Sequence, residues 1–207
     1  MSWVLLFAGA YLLGAIPTGV WVSRLFYQMD IRKQGSLNSG LTNIYRVLGI
    51  KAAIPVAIVD LGKGILATWL GTLLIQDSIS IQTLCLLTGF TAVIGHSFTV
   101  FAGFKGGKGV LTALGVYVVL IHYYALIPFG IWVLVLTLSG YVSLASMIAA
   151  LSLFLVTLYH HIVLGNTDSL VMLICTSFLS AFIIYRHRGN IRRLLAGEEN
   201  GFGKKKK

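Results

Sequence analysis

The chain has 207 residues, of which 57% are hydrophobic and 11% are charged, and its mean hydropathy is +0.88. Because a soluble domain carries about 25% charged residues, this composition excludes a water-soluble globular protein and predicts an integral membrane protein. The formal charge of +10 comes from 16 Lys and Arg against 6 Asp and Glu. No basic stripe is interleaved with aromatic residues, as a nucleic-acid surface would show. We therefore assign the excess of Lys and Arg to the cytoplasmic loops of a membrane protein.

Seven apolar stretches predict an all-α fold that forms a single polytopic domain over residues 1–207. In chain order they cover residues 3–22, 52–75, 81–101, 110–121, 125–138, 142–164 and 170–185. Four of them approach or exceed the roughly 20 residues that cross a bilayer as a helix, the last is marginal, and the fourth and fifth are short. We predict seven transmembrane helices, with five spans plus a re-entrant hairpin around His122 as the alternative. Pro17 predicts a kink in the first span.

The basic residues are confined to alternate connections, and this asymmetry predicts the orientation of the chain. Before the tail, those on the predicted cytoplasmic side are Arg24, Arg32, Lys33, Arg46, Lys51, Lys105 and Lys108. The connections assigned to the other side, around Asp77, His122 and Asp168, contain no Lys or Arg. The positive-inside rule therefore places the N-terminus outside and the basic C-terminus in the cytoplasm. The lysine run at 204–207 is either a lipid-headgroup anchor or an expression artefact, and we assign it no chemistry.

The first large polar segment follows the first span and reads Gly35-Ser36-Leu37-Asn38-Ser39-Gly40-Leu41-Thr42-Asn43-Ile44-Tyr45-Arg46. Its composition predicts a loop, here called the serine–asparagine loop (residues 35–40), followed by a short helix that Gly49 can end. On this helix Thr42 and Asn43 share a face with Arg46. A hydroxyl, an amide and a guanidinium near a helix N-terminus suit a phosphoryl oxyanion, and a solvated loop with an interfacial Arg is the alternative.

The most informative run is the glycine–lysine loop, Gly103-Phe104-Lys105-Gly106-Gly107-Lys108-Gly109. Its glycines expose the backbone and its lysines add positive charge, a combination that binds phosphate or another oxyanion. Its spacing is one residue short of a Walker A loop, and no strand precedes it as a dinucleotide fingerprint requires. A flexible turn with snorkelling lysines is the alternative. His96, about two turns earlier, could shuttle a proton or make an interhelical hydrogen bond.

Two further groups of polar residues lie on the same predicted side of the membrane. His187, Asn190 and Arg193 recur at helical spacing, so one face of a juxtamembrane helix could contact a substrate or bind anionic lipid. Ser143, at the start of the sixth span, could line the site or pack helices together.

Charged residues within the spans, and motifs that are absent, restrict the chemistry further. Asp60 and Lys63 lie three residues apart in the second span and predict a structural ion pair, because intramembrane charges usually pair inside the protein. The six acidic residues do not cluster, so we predict no metal site and no cofactor. No GxSxG elbow and no His followed five residues later by Asp occurs. The substrate must therefore arrive already activated.

The chain resembles the bacterial acyl-phosphate:glycerol-3-phosphate acyltransferases, the PlsY family, along essentially its whole length. Within the spans the resemblance rests on Gly14-Ala15-Ile16-Pro17, Asp60-Leu61-Gly62-Lys63-Gly64 and Tyr141-Val142-Ser143-Leu144-Ala145-Ser146. Its three cytoplasmic motifs run from Gly35 to Arg46, from Gly95 to Gly109 and from His187 to Glu199. The first motif departs from the usual pattern at Leu37, Ser39 and Leu41, where the family has Gly, Pro and Ala.

The resemblance implies transfer of a fatty acyl group from acyl phosphate to the 1-hydroxyl of glycerol 3-phosphate, giving lysophosphatidic acid and phosphate, the first committed step of phospholipid synthesis. It implies an enzyme of the cytoplasmic (inner) membrane whose site faces the cytoplasm, with membrane lipid as its surroundings and no obligate protein partner. The residues assigned to catalysis are His96, Lys105, Asn43 and Ser143. The residues assigned to substrate binding are Ser36, Asn38, Thr42, Asn43, Arg46, Lys105, Gly106, Gly107, Lys108, His187, Arg188 and Asn190.

The competing class is a membrane transporter of a phosphorylated anion. Such a transporter would place its anion sites near the membrane midplane, often between internal repeats. No internal repeat is visible here, and the candidate residues lie at the cytoplasmic ends of the predicted spans. These features favour the acyltransferase.

Overall fold

A computed structural model describes residues 2–74, 79–165 and 167–202 of the chain. The α-helices of this part are α1 (Trp3–Gly14), α2 (Thr18–Tyr27), α3 (Leu41–Leu48), α4 (Ile50–Leu70), α5 (Ile81–Ser97), α6 (Val110–Ile121), α7 (Leu126–Ser139), α8 (Val142–Leu164), α9 (Thr167–Arg186) and α10 (Arg188–Leu195). No β-strand occurs among the described residues, and the predicted all-α class is confirmed. Asp77 and the lysine run at 204–207 lie outside the described residues.

The helices account for four or five candidate membrane spans in the described part of the chain. Four runs are long and apolar enough by themselves: Ile81–Ala102, Val110–Ser139, Val142–Leu164 and Thr167–Arg186. A fifth results if α1 and α2, which are bent by 44°, count as one span. The number of seven is not confirmed, for two reasons. Only a 3-10 turn, His122–Ala125, separates α6 from α7, so the two count as one run of 30 residues, and α4 is not among the candidate spans.

The break between α1 and α2 has the cause that the sequence predicts. Pro17 has no backbone N–H and cannot continue the helical ladder. The carbonyls of Ala15 and Ile16, which lie at the break, accept hydrogen bonds from other helices and turns: Thr99 Oγ1 donates to the first, and Lys63 Nζ donates to the second over 3.1 Å. Polar side chains therefore satisfy the backbone groups that the kink exposes, as a membrane interior requires.

The first compact unit, Met1–Leu120, holds α1 to α5 and nearly all of α6. In this unit α4 and α6 approach each other through small residues. A Cβ on Gly64 would lie 2.2 Å from the Thr112 carbonyl oxygen, and a Cβ on Gly115 would lie 2.3 Å from the Leu61 carbonyl oxygen. Small residues let membrane helices pack this closely. The contact fixes the helix that directly follows the glycine–lysine loop.

The second compact unit, Ile121–Lys207, holds α7 to α10, with α8 packed against both α7 and α9. Trp132 Nε1 of α7 donates to Ser146 Oγ of α8 over 3.2 Å. Ser180 Oγ of α9 donates to the Ala150 carbonyl of α8 over 2.7 Å. These interhelical hydrogen bonds, added to close packing, stabilise the three helices as a group.

Candidate functional site

The serine–asparagine loop is shaped by one buried side chain, Asn43. This side chain is 2% exposed, and its Nδ2 lies 3.2, 2.9 and 2.8 Å from the backbone carbonyls of Ile31, Gln34 and Asn38, which share its two hydrogens. Its Oδ1 accepts from the backbone N–H of Ser36 at 2.9 Å. An amide that bonds the backbone at four points holds the loop in one shape. The structure gives Asn43 this shaping role, where the sequence predicts substrate contact.

The helix α3, which follows the loop, carries Thr42 and Arg46 one turn apart, and both are half-buried. The N–H of Gly40, just before the helix, donates to Asn38 Oδ1 at 2.8 Å. The helix ends at Gly49, whose φ of 82° lies in the left-handed region that glycine adopts without strain. The predicted end of this helix is therefore confirmed, and the hydroxyl and guanidinium lie on one face as expected.

The glycine–lysine loop folds back onto the C-terminal end of α5. The N–H of Gly106 donates to the Ser97 carbonyl at 3.2 Å, and the N–H of Gly107 donates to the His96 carbonyl at 3.1 Å. A Cβ on Gly106 would lie 2.0 Å from the His96 carbonyl oxygen, and a Cβ on Gly107 would lie 2.1 Å from His96 Nε2. Only glycine fits at both positions. Two N–H groups that the sequence assigns to an anion therefore cap the end of α5 instead.

The segment before this loop is held by side chains from distant parts of the chain. Tyr11 Oη donates to the Phe98 carbonyl at 2.7 Å. Arg32 Nη1 donates to the Ala102 carbonyl, also at 2.7 Å. The residue pattern predicts neither contact, because any backbone carbonyl can accept a hydrogen bond and no side-chain spacing marks it. Past this segment, the loop presents the exposed side chain of Lys105.

His96 lies between the glycine–lysine loop and a buried ion pair. Asp60 and Lys63 are 3% and 2% exposed, and Asp60 Oδ1 lies 2.8 Å from Lys63 Nζ, so the predicted pair is confirmed. Thr18 Oγ1 donates to the same carboxylate oxygen at 3.3 Å. His96 Nδ1 lies 3.8 Å from Asp60 Oδ1, which is an electrostatic contact rather than a hydrogen bond. The Nε2 atom of the same ring faces Gly107. The proton-transfer role of His96 and its interhelical hydrogen bond both stay predictions.

In the second unit, the carboxylate of Glu199 gathers three side chains. Its Oε1 accepts from Ser143 Oγ at 2.7 Å and from Asn190 Nδ2 at 2.6 Å, and its Oε2 accepts from Arg193 Nε at 2.8 Å. Burial raises the pKa of the Glu199 carboxyl, but the hydrogen bonds from Asn190, Ser143 and Arg193 outweigh burial and hold the pKa below its ordinary value. The sequence assigns no contact to Glu199, although the third motif ends there, because no spacing rule connects it to Ser143.

His187 and Arg188, at the start of α10, have different surroundings. His187 is 3% exposed, and its Nδ1 lies 2.8 Å from the Ile183 carbonyl. Because a carbonyl only accepts, Nδ1 carries the proton, and this bond fixes the ring. Arg188 is exposed, and its guanidinium carbon lies 4.5 Å from the centre of the Tyr185 ring, a cation–π contact.

The predicted site residues therefore fall into three groups. The first unit contains the serine–asparagine loop with α3, and the glycine–lysine loop with His96. The second unit contains the Glu199 cluster, which brings together Ser143 and Asn190. Among residues 2–74, 79–165 and 167–202, no group of three or more His, Cys, Asp or Glu side chains has an arrangement that could hold a metal ion.

The chain is similar to known proteins along nearly its whole length. Residues 4–197 match a family model described as glycerol-3-phosphate acyltransferase. The glycerol-3-phosphate acyltransferase of Listeria welshimeri is 45% identical over 199 residues, which cover 95% of this chain and 94% of the relative. The glycerol-3-phosphate acyltransferase of Fusobacterium nucleatum is 42% identical over 192 residues, which cover 93% of this chain and 94% of the relative.

Solved structures show the same similarity. A crystal structure of PlsY (YgiH), described as an integral membrane glycerol 3-phosphate acyltransferase in its glycerol 3-phosphate form, has a TM-score of 0.83 and 39% identity, with 97% of this chain and 95% of that chain covered. The lysophosphatidic acid form of PlsY has a TM-score of 0.81 and 38% identity, with the same coverage.

Proposed function

This chain belongs to the glycerol-3-phosphate acyltransferase family, and from that premise we propose that it transfers a fatty acyl group from acyl phosphate to the 1-hydroxyl of glycerol 3-phosphate. The product that carries the acyl group is lysophosphatidic acid. The observation that carries the proposal is the match to the glycerol 3-phosphate form of PlsY, at 39% identity over 97% of this chain. Because the matched relatives are acyltransferases, transport of a phosphorylated anion is not favoured.

The proposed reaction needs no covalent intermediate on the protein. The 1-oxygen of glycerol 3-phosphate forms a bond to the acyl carbon, and the bond between that carbon and the phosphate oxygen breaks. Acyl phosphate is a mixed anhydride with a good leaving group, so correct placement and stabilisation of charge supply the catalysis. The hydroxyl proton leaves with the phosphate, directly or through His96, so the products are one ester and one inorganic phosphate.

Both substrates carry phosphate, and the polar groups of the first unit are suited to it. We assign Arg46 and Lys105 to one phosphate, because a guanidinium and an ammonium form charge-assisted hydrogen bonds with its oxygens. Ser36, Asn38, Thr42 and Lys108 are assigned to the other phosphate and to the charge that develops on the carbonyl. The four backbone contacts of Asn43 support an indirect part for that residue, as the support of the loop.

Four residues of the second unit keep the roles in substrate binding and catalysis that the sequence assigns to them. They are Ser143, His187, Arg188 and Asn190. The shared carboxylate of Glu199 supports the first and the last of these, because it holds their side chains in fixed orientations. Ser143 retains the catalytic assignment that it has from the sequence. Because its one O–H donates to Glu199, its oxygen can act on a substrate as a hydrogen-bond acceptor.

We also assign to this protein a single domain over residues 1–207 with seven membrane crossings, in the cytoplasmic membrane, and with the site on the cytoplasmic side. In support, each of the seven apolar stretches coincides with a helix or a broken pair of helices. Single cysteines at Ser2 and Gln34 test the orientation. A membrane-impermeant thiol reagent applied to intact cells should label Ser2→Cys and leave Gln34→Cys unlabelled until the membrane is opened, and the reverse pattern would contradict it.

The donor and acceptor are tested with purified protein in detergent micelles. Synthetic acyl phosphate and radiolabelled glycerol 3-phosphate should give labelled lysophosphatidic acid, together with one equivalent of inorganic phosphate. If acyl-CoA supports the reaction and acyl phosphate does not, the proposed donor is wrong. If neither donor gives a lipid product but vesicles take up labelled glycerol 3-phosphate, the transporter replaces the acyltransferase.

A further inference from the structure

Asp30 and Arg32 form a clasp near the start of the segment between α2 and α3. Arg32 Nε donates to Asp30 Oδ1 at 3.0 Å and Arg32 Nη2 donates to Asp30 Oδ2 at 2.7 Å, so the guanidinium and the carboxylate meet edge to edge. The backbone N–H of Arg32 also donates to Asp30 Oδ1 at 3.0 Å. Such bidentate pairs fix orientation as well as distance.

The third guanidinium nitrogen of Arg32 contacts a different part of the chain. Arg32 Nη1 donates to the carbonyl of Ala102 at 2.7 Å, 70 residues further along the chain. Ala102 is the residue immediately before the glycine–lysine loop. Because the carboxylate of Asp30 holds the other two nitrogens, the third is held in the plane that reaches this carbonyl.

The surroundings of the clasp make it persistent. The side chains of Arg32 and Asp30 are 21% and 14% exposed. The hydrogen bond from Arg32 is the main cause that holds the pKa of Asp30 well below its ordinary value, and Asp30 in turn raises the pKa of Arg32. Both groups therefore stay charged throughout the pH range in which the protein would be assayed.

Ile31, between Asp30 and Arg32, connects the clasp to the serine–asparagine loop. Ile31 is fully buried in an apolar cluster that also contains Ala102 and Ile44. The Ile31 carbonyl accepts from Asn43 Nδ2 at 3.2 Å, and Asn43 is the side chain that shapes the serine–asparagine loop. Residues 30–32 are therefore linked to both loops. The Ile31 carbonyl bonds Asn43, which shapes the serine–asparagine loop, and the Arg32 guanidinium bonds Ala102, which precedes the glycine–lysine loop.

We propose that the Asp30–Arg32 pair positions the glycine–lysine loop relative to the serine–asparagine loop, at the spacing that acyl transfer between two phosphate-bearing reactants needs. The inference rests on the proposed function for what the loops bind. Arg32 is a positioning residue, since it acts through the backbone of Ala102 and not on a substrate. Loss of the clasp should displace the loop that carries Lys105, a cation assigned to a substrate phosphate, and so weaken the binding of that substrate. A displacement of about 1 Å in reacting groups also costs on the order of 100-fold in rate.

The test compares variants at Arg32 with a matched variant at Arg24. Arg24 Nη2 also donates to Asp30 Oδ2, at 2.8 Å, but its side chain is 56% exposed. Within the described part of the chain, no hydrogen bond joins Arg24 to Ala102. Arg24→Ala removes an ion pair of Asp30 and leaves the loop contact in place. Arg32→Ala removes the contact, and Arg32→Lys keeps the charge while losing the planar fork.

The Michaelis constant for glycerol 3-phosphate separates positioning from folding. Partial unfolding lowers the amount of active enzyme, and so kcat, but leaves KM unchanged. We expect Arg32→Ala to raise KM by about tenfold, Arg32→Lys to raise it by a smaller factor, and Arg24→Ala to leave it within about twofold of the original. Equal KM values in all four proteins, or an equal rise in the Arg24 and Arg32 variants, would overturn the proposal.

A second measurement does not depend on activity. Lys105 is exposed, so trypsin can cut the glycine–lysine loop there. Release of the clasp should speed this cut about tenfold in Arg32→Lys and not in Arg24→Ala. If the unaltered protein makes no lysophosphatidic acid, the proposed function fails while the cleavage rates still decide the clasp. Equal cleavage rates in the two variants would overturn it.

Discussion

Asn190 donates its side-chain N–H to the carboxylate of Glu199 across 2.6 Å. The oxygen that accepts this bond also accepts from Ser143, so one atom links the start of α8 to α10. A carboxylate that receives several donors fixes their orientation and leaves each of them less freedom than a solvated side chain has. Glu199 is therefore a support for two residues that are proposed to bind substrate.

Replacement of Glu199 by Gln should destabilise the second unit. Gln keeps one acceptor oxygen but loses the charge, so the bonds from Asn190, Ser143 and Arg193 cannot all be kept at full strength. Loss of charge-assisted hydrogen bonding should cost about 2 kcal/mol, which thermal unfolding in micelles would measure. A melting temperature equal to that of the unaltered protein would contradict the support role.

The same carboxyl gives a dependence of stability on pH. Because the folded protein holds the pKa of Glu199 below its ordinary value of 4.5, the unfolded chain binds the proton more readily. The stabilisation is present above pH 4.5 and is lost as the pH falls below that value. The melting temperatures of the unaltered protein and of Glu199→Gln should therefore differ at pH 7, and the difference should shrink as the pH falls below 4.5 through the folded-state pKa of Glu199. If the two melting temperatures differ by the same amount throughout this range, the lowered pKa of Glu199 is contradicted.

His96→Gln tests whether the imidazole takes the proton of the attacking hydroxyl. If the phosphate of the substrate takes the proton and His96 serves as a packing contact, kcat should stay within about tenfold of the original and its pH profile should keep its shape. A general base contributes on the order of 100- to 10,000-fold, so a loss of that size would assign the proton to His96.

Gly107→Ala tests the close contact between the glycine–lysine loop and His96. The added methyl would lie 2.1 Å from Nε2, so the ring or the loop must move, and kcat/KM should fall by about tenfold or more. Gly62→Ala, at a position on α4 where a Cβ meets nothing within 4 Å, is the matched control and should leave kcat/KM unchanged. If the clash with the His96 ring lowers kcat/KM, the double variant Gly107→Ala, His96→Ala should recover part of the lost kcat/KM. No recovery in the double variant would show that the loss has another cause.

Much of the fold follows from the sequence because each feature is local. Hydropathy marks the apolar helices, Pro17 marks the break between α1 and α2, and Gly49 marks the end of α3. The ion pair of Asp60 and Lys63 also follows, since residues three apart on a helix face one another and charges in a span need partners.

The supports of the site could not be predicted, because they join residues that are distant in the chain. Arg32 and Ala102 are 70 positions apart, and Ser143 and Glu199 are 56 apart. No spacing rule connects such pairs. The role of Asn43 was missed for a different reason, since an amide suits a substrate oxygen and a backbone carbonyl equally well, and only its burial separates the two.

The most direct test of the account measures lysophosphatidic acid formation from acyl phosphate as the concentration of glycerol 3-phosphate rises. It uses the purified unaltered protein, Arg46→Ala and Lys105→Ala. The unaltered protein should show saturation, and both variants should lose it, because a phosphate loses a charged partner in each. Unchanged saturation curves in the two variants, from protein that is shown to be folded, would contradict the assignment of these cations to the substrate.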